Sequence, residues 1–392
     1  MFGLYEMAFG SITWGEIIMV LLGGLMIYLG IVRNFEPLLL VPMGFGMILV
    51  NIPLGGLMLY SPDGFPAEAS TLGQLLQDIA DGKVGLLNVI FAYGIKTEII
   101  PLLIFLGLGA LIDFSPTIAR PISFFFGATA QLGVFVAFTI AYVSGLFTLN
   151  EAACVGIIGG SDGPPTIYLT VALAPQLLGP IALAAYSYMA LVPIIQPPVI
   201  RLFTTRKERA IYMSPKVREV SKLELVLFPA VIFIVAALFV PKCAPIIGML
   251  MFGNLLRVTG VTERLAQTAG TVFIDVLTFL LALTVGGLMI AEVFLTPQTL
   301  AIIGLAAVAF VFSTIGGLLG AKLVNLFLKE KINPMIGAAG VSAVPMSARV
   351  VQKMGQKANP RNFLLMHAMG PNTAGVIGTA VVTGILYGML VK

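Results

Sequence analysis

The residues that could do chemistry gather at one break in an otherwise apolar chain, Gly156-Ile157-Ile158-Gly159-Gly160-Ser161-Asp162-Gly163-Pro164-Pro165. Its glycines and prolines remove side-chain packing, helix hydrogen bonds and a fixed backbone. Asp162 stands at the break. In lipid, irregular backbone persists only where protein buries it or where it lines a watery cavity. An ionisable group at that depth is by default a functional residue, binding or relaying an ion or a proton. The other reading of Asp162 is an N-cap, because Asp before Gly-Pro-Pro can cap a helix starting at Pro164.

The pattern returns 181 positions later. Gly337-Ala338-Ala339-Gly340-Val341-Ser342-Ala343-Val344-Pro345 repeats G-x-x-G-x-S-x-x-P, with Ala343 opposite Asp162, so one copy alone carries the acid. Ser115-Pro116 falls opposite Thr296-Pro297 at the same offset. Paired Gly/Pro-broken apolar segments in two halves of a chain point to a transporter-type binding site.

The elements that must position these breaks are membrane helices. The chain has 392 residues, 58% hydrophobic and 10% charged, against about 25% charged in soluble domains. The apolar runs are too long for barrel strands, so the fold class is an all-α polytopic membrane protein. The first run, from Ile17, lacks a basic leader and a cleavage site and reads as a retained span. Expected spans are 17–32, 38–60, 99–112, 121–142, 181–200, 223–240, roughly 246–262, 272–293, 300–324 and a last run to Leu390. A break at Gly370-Pro371-Asn372 precedes that last run. Cys154 and Cys243 show no metal or redox spacing. His367 is the single histidine, so no Cys/His metal cluster is available. The net charge of +4 lies in loops and concerns orientation rather than nucleic acid.

Half of the 22 Lys and Arg residues fall in two stretches, 201–222 and 348–361. The positive-inside rule places both in the cytoplasm, and the acidic stretch Ser61–Lys83 outside. Crossings then number about ten, with two inverted repeats that each hold a re-entrant hairpin. The division is a two-span scaffold 1–96, repeat one 97–200 with hairpin 151–174, a cytoplasmic linker 201–222, connecting spans 223–270, and an inverted repeat 271–392 with hairpin 331–348. The tips of the two hairpins should approach each other. Asp113, Glu151, Asp275 and Glu292, near span ends, read as interfacial or packing charges.

Three motifs carry a resemblance over nearly the whole chain: G-I-I-G-G-S-D-G-P-P-T (156–166), N-P-M-I-G-A-A-G-V-S-A-V-P-M-S-A-R-V (333–350) and M-H-A-M-G-P-N-T-A-G-V-I-G (366–378). The sequence resembles the β subunit of the sodium-pumping biotin-dependent decarboxylases, which act on oxaloacetate, methylmalonyl-CoA, glutaconyl-CoA or malonate. Ser161 and Pro165 stand where family members often have Ala and Thr, and Thr379 where Ser is common; none of these removes an oxygen ligand.

The resemblance implies that carboxybiotin, carried by a biotin carrier protein or domain, is decarboxylated at the cytoplasmic side of an inner membrane. Sodium is exported and a proton consumed. It also implies a carboxyltransferase α subunit, a small membrane γ or δ subunit and a homo-oligomer of the β subunit. No biotinyl-lysine motif of the A-M-K-M type occurs here, so biotin would be held on another chain. Matching positions are Asp162, Tyr188, Asn333, Gly337, Ser342, Arg349 and Asn372. Asp162 fits a sodium ligand, since hard cations take oxygens and one negative charge favours a dehydrated ion. Asn333, Ser342, Asn372 and Thr379 offer neutral oxygens, or else cap and packing groups. Tyr188 is an ion- or proton-transfer residue or a packed tyrosine. Arg349 could grip the carboxylate of carboxybiotin bidentately, or serve only as a topogenic charge. The competing function is a secondary sodium symporter of a small anion; a passive scaffold would explain neither the repeated breaks nor the acid.

Overall fold

A computed structural model describes residues 12–53, 55–60, 77, 79, 81, 84–214 and 218–391. The described residues are helical and include no strand. The acidic stretch Ser61–Lys83, apart from residues 77, 79 and 81, lies outside them, as do residues 1–11 and Lys216.

Helix ends follow local chemistry. Helix α1, Trp14–Arg33, starts from a capping box of Thr13 and Glu16. α2, Pro37–Val50, starts from a proline. Its carboxyl end stops at Asn51, whose amide nitrogen donates to Met47 O (2.8 Å) and Met289 O (2.7 Å) and whose Oδ1 accepts from Ala291 N (3.1 Å). The expected second span, 38–60, is therefore shorter than read. α3, Leu86–Ile90, runs into a π turn at Phe91–Ile95 and bends 65° into α4, Ile99–Leu111.

α5, Ser123–Ala130, and α6, Leu132–Val143, form one apolar stretch. α7, Leu149–Ile157, and α8, Gly163–Leu173, flank the first break. α9, Leu178–Phe203, contains four prolines, Pro180 in its first turn and Pro193, Pro197 and Pro198 in its interior. α10, Lys222–Phe239, begins at a Ser221/Glu224 capping box, and only 6% of its most apolar window is buried inside the molecule. It is the helix most open to lipid by that measure.

Next come α11, Ala244–Val258; α12, Glu263–Thr268, continuing through a π turn at Ala269–Phe273 into α13, Ile274–Gly287; and α14, Pro297–Phe327. α15, Met335–Ala338, and α16, Met346–Ala358, flank the second break. α17 runs unbroken over Leu365–Leu390 with Pro371 inside it, so the expected break at 370–372 is not a break in the helix.

Among the described residues, seven helices are long and apolar enough to cross a membrane, or eight if the bent α3–α4 pair is one span. Of the ten expected crossings, α2 with 14 residues and α11 with 15 fall short of that length. Helices meet backbone to backbone at glycines, as membrane packing favours. A Cβ on Gly109 of α4 would overlap the Leu250 carbonyl of α11, and one on Gly253 the Leu106 carbonyl, so that pair is locked from both sides.

Both basic stretches end at the same end of the molecule. Asn362 accepts from Met213 N (3.1 Å) and donates to Ile211 O (2.8 Å), and Asn359 reaches Ala210 O. The linker is also pinned to α14 by an ion pair of Glu208 with Lys322 (2.9 Å). Partial burial pushes the Glu208 carboxyl up, but the Thr205 backbone N–H and the Lys322 ammonium outweigh it and hold it below the usual carboxylate range.

Candidate functional site

The first break is a turn between two opposed helices. α7 tightens into a 3-10 turn at Ile158–Gly160, Ser161 takes a left-handed backbone (φ 56°), and Asp162 is extended ahead of α8. Asp162 occupies the N-cap position, yet its side chain makes no capping bond. The residue is 5% exposed, and its Oδ2 is buried without a hydrogen-bond partner among the described residues. Ser161 Oγ next to it is in the same condition. A buried acceptor without a donor is costly, and a cation removes that cost.

The second break comes to the first. Ser342 N donates to Gly160 O (3.3 Å), joining the two turns directly. Ser342 Oγ bonds Thr379 Oγ1 (2.8 Å), and Thr379 also approaches Gly160 O (3.4 Å) and the Gln131 amide. Asn372, on α17 beside Pro371, donates to Ala339 O (3.1 Å) and Val341 O (2.7 Å). These two bonds fix the amide, while Asn372 Oδ1 stays buried without a partner among the described residues. Asp162, Ser342, Thr379 and Asn372 thus belong to one junction built from α7, α8, the second break and α17.

Asn333, Gly337, Tyr188 and Arg349 lie elsewhere. Asn333 is fully buried, but its amide donates to Arg209 O (2.8 Å) and Ile211 O (3.0 Å), and its Oδ1 accepts from Met335 N (3.1 Å). It ties the basic linker to the start of the second hairpin. Gly337 packs on Gly317 of α14 so closely that a Cβ on either would overlap the carbonyl oxygen of the other. Tyr188 is half-buried between two apolar clusters. Arg349 is exposed in the first turn of α16.

A cavity of about 330 Å³ opens beside the junction, lined among others by Asp162, Tyr186, Ser342, Glu36, Asp275 and Thr278. Tyr186, not Tyr188, faces Asp162's turn, and its ring fills the space where a Cβ on Gly163 would stand. Sequence reasoning missed Tyr186 because the phase of α9 against α8 is set by tertiary packing. It read Asp275 as an interfacial or packing charge; the rule applied to Asp162, an ionisable group at membrane depth, would have found it. Glu36, in a turn, carried no such signal.

Opposed broken helices meeting at one unpartnered acid, inside a bundle of membrane-length helices, define a membrane ion transporter. The model of the family described as the Na+-transporting oxaloacetate decarboxylase beta subunit matches residues 15–390, and the chain belongs to that family. It is 51% identical over 382 residues to the methylmalonyl-CoA decarboxylase subunit beta of Propionigenium modestum, covering 97% of this chain and 96% of the relative. It is 48% identical to the glutaconyl-CoA decarboxylase subunit beta of Acidaminococcus fermentans (99% and 96% covered) and 46% identical to the oxaloacetate decarboxylase beta chain of Klebsiella pneumoniae (95% and 94%). The protein is thus a multi-pass decarboxylase beta subunit of the sodium-transporting kind.

Proposed function

We propose that this chain decarboxylates carboxybiotin presented by a partner's biotin carrier at the cytoplasmic side of an inner membrane. It couples this to sodium export and consumes one proton. The observation that carries the reading is the unpartnered Asp162 oxygen at the junction of the two breaks, in a chain of this family. Asp162 supplies the single charge for sodium as cargo. Asn372 Oδ1, Ser342 and Thr379 add neutral oxygens, the ligand type a hard cation takes. Asn333 and Gly337 hold the second hairpin from behind, and Tyr186 rather than Tyr188 faces the ion.

Carboxybiotin supplies a labile N–carboxylate bond, whose electron pair returns to the ring nitrogen as carbon dioxide leaves and is then protonated. Arg349 holds that carboxylate before the bond breaks. The carboxyltransferase α subunit, a γ or δ membrane subunit and a second copy of this chain complete the assembly in this reading.

The test is decarboxylation against sodium concentration for three proteins. Asp162→Asn loses no cap bond, because none exists, so it folds and assembles; it abolishes the sodium-dependent rate. Asp162→Glu keeps the charge displaced by one methylene and is partly active at raised sodium. An Asn variant with wild-type sodium activation refutes the assignment.

A further inference from the structure

The cavity beside Asp162 holds two more carboxylates that the pumping reaction as described does not use. Asp275 sits in an apolar, membrane-length stretch, Glu263–Gly287, just after the π turn Ala269–Phe273. A charge in that position facing hydrocarbon is expensive, and acids within membrane helices face cavities or partners instead. Asp275 lines the cavity, as do Gly270 from the π turn and Thr278 one helical turn further on. Single π turns inside helices recur at functional sites.

Glu36 comes from the other side. Its backbone is left-handed (φ 39°), a region that side chains rarely adopt, and it makes no capping bond at the start of α2. It also lines the cavity. Neither Glu36 nor Asp275 has a salt bridge among the described residues, and the lining includes no Lys or Arg. Arg33 and Arg264, the basic groups nearest in sequence to these two carboxylates, are exposed and do not line the cavity, and Arg257 is turned onto the Leu111 carbonyl. The floor of the cavity is Asp162, with its unpartnered buried oxygen.

The cavity also has a direction. Leu111 and Ile112 line it at the carboxyl end of α4. A few residues on, Ile118 O accepts from Arg218 of the basic linker (3.3 Å). The Glu36 turn between α1 and α2 lies on the same rim, opposite the end where Asn51 meets Met289.

We propose that Glu36 and Asp275 form a cation-gathering vestibule through which sodium reaches Asp162 from the end of the molecule that carries the basic loops. This rests on the reading of Asp162 as the sodium ligand. Clefts lined by one sign of charge concentrate the opposite ion, and here the vestibule holds sodium near the junction without ligating it in its final site. It also keeps the anionic substrate from occupying the same passage.

The experiment uses the whole complex in proteoliposomes at low ionic strength, with sodium chloride as the probe. Glu36→Gln with Asp275→Asn should raise the sodium concentration for half-maximal decarboxylation about tenfold, with the maximal rate held within about twofold. The single variants should fall between. Raising ionic strength to about 1 M with choline chloride, where the screening length is about 3 Å, should close the gap. Glu36→Asp and Asp275→Glu, which keep the charge, should stay near the wild type. Sodium-dependent thermal stabilisation of the complex gives a readout without turnover and should shift in the same way. An unchanged half-maximal concentration, a rise indifferent to ionic strength, or charge-conserving variants as impaired as the neutral ones would overturn the vestibule. The two failures separate on Asp162→Asn: if it abolishes sodium dependence while the vestibule variants do nothing, only the vestibule falls. If Asp162→Asn leaves sodium dependence intact, the ligand reading falls first.

Discussion

A missing hydrogen bond separates the two readings that the sequence leaves open for Asp162. A cap would place an oxygen on the first backbone N–H groups of α8; the carboxylate makes no such bond, and Asp162 instead lines the cavity beside the junction. Arg349 has the opposite setting, exposed in the first turn of α16. Its guanidinium fits a bidentate carboxylate, a contact worth about 1.5–3 kcal/mol. Arg349→Ala should therefore slow turnover of free carboxybiotin by about ten- to a hundredfold, with sodium-dependent stabilisation unchanged and Arg349→Lys only partly restoring the rate. Loss of the sodium effect with normal carboxybiotin turnover would reverse the roles. Asp162 and Ser342 were legible because glycine, proline and a polar or acidic group seldom interrupt an apolar run together unless a site needs them. Asn372 came with the third motif and Thr379 with the family resemblance alone, and the structure adds that their partners are the carbonyls and hydroxyl of the second turn. Tyr186 and Glu36 were illegible, since helix phase and the path of a turn belong to tertiary packing.

Helices show the same division. The two breaks were readable, because repeated Gly/Pro runs cannot sustain a helix. Gly370-Pro371-Asn372 was misread by that same rule. There the carbonyls of Met369 and Gly370 accept from Thr373 and Thr117 (3.0 Å each), and α17 continues. A proline is tolerated inside a membrane helix where neighbouring helices brace the chain, and no local pattern announces that support. The contact of α14 with the second hairpin makes a prediction. Gly317→Ala must push α14 off Gly337, at a cost of about 1–3 kcal/mol, and should lower both the melting temperature of the complex and its sodium-dependent rate. Gly304→Ala on the same helix meets nothing within 4 Å and should be neutral or slightly stabilising, as alanine is the better helix former. Equal melting temperatures for the two variants would show that the Gly317–Gly337 approach is not tight.

For the molecule as a whole, the repeat predicts a junction between halves, and the turn around Gly160 does bond the turn around Ser342. The number of crossings was less legible. Charge bias counts sides and not lengths, and α2 and α11, with 14 and 15 residues, fall short of a full span while packing through glycines on α13 and α4. The shared end of the two basic loops gives a test of orientation. Lys207→Cys and Lys353→Cys should both react with an impermeant thiol reagent in inverted vesicles and neither in intact cells. Labelling of either in intact cells refutes the cytoplasmic placement and with it the inverted order of the repeats.

The glycine seam between α4 and α11 has a genetic corollary. What stands opposite Gly109 and Gly253 is main chain, the carbonyls of Leu250 and Leu106, and no codon change can shave a carbonyl. A damaging substitution at either glycine has no neighbouring suppressor; revertants must restore the glycine or shift a whole helix from afar. At Gly163 the obstacle is the Tyr186 ring, which one further mutation can shrink. The pattern of revertants would thus distinguish seams made of backbone from contacts made of side chains.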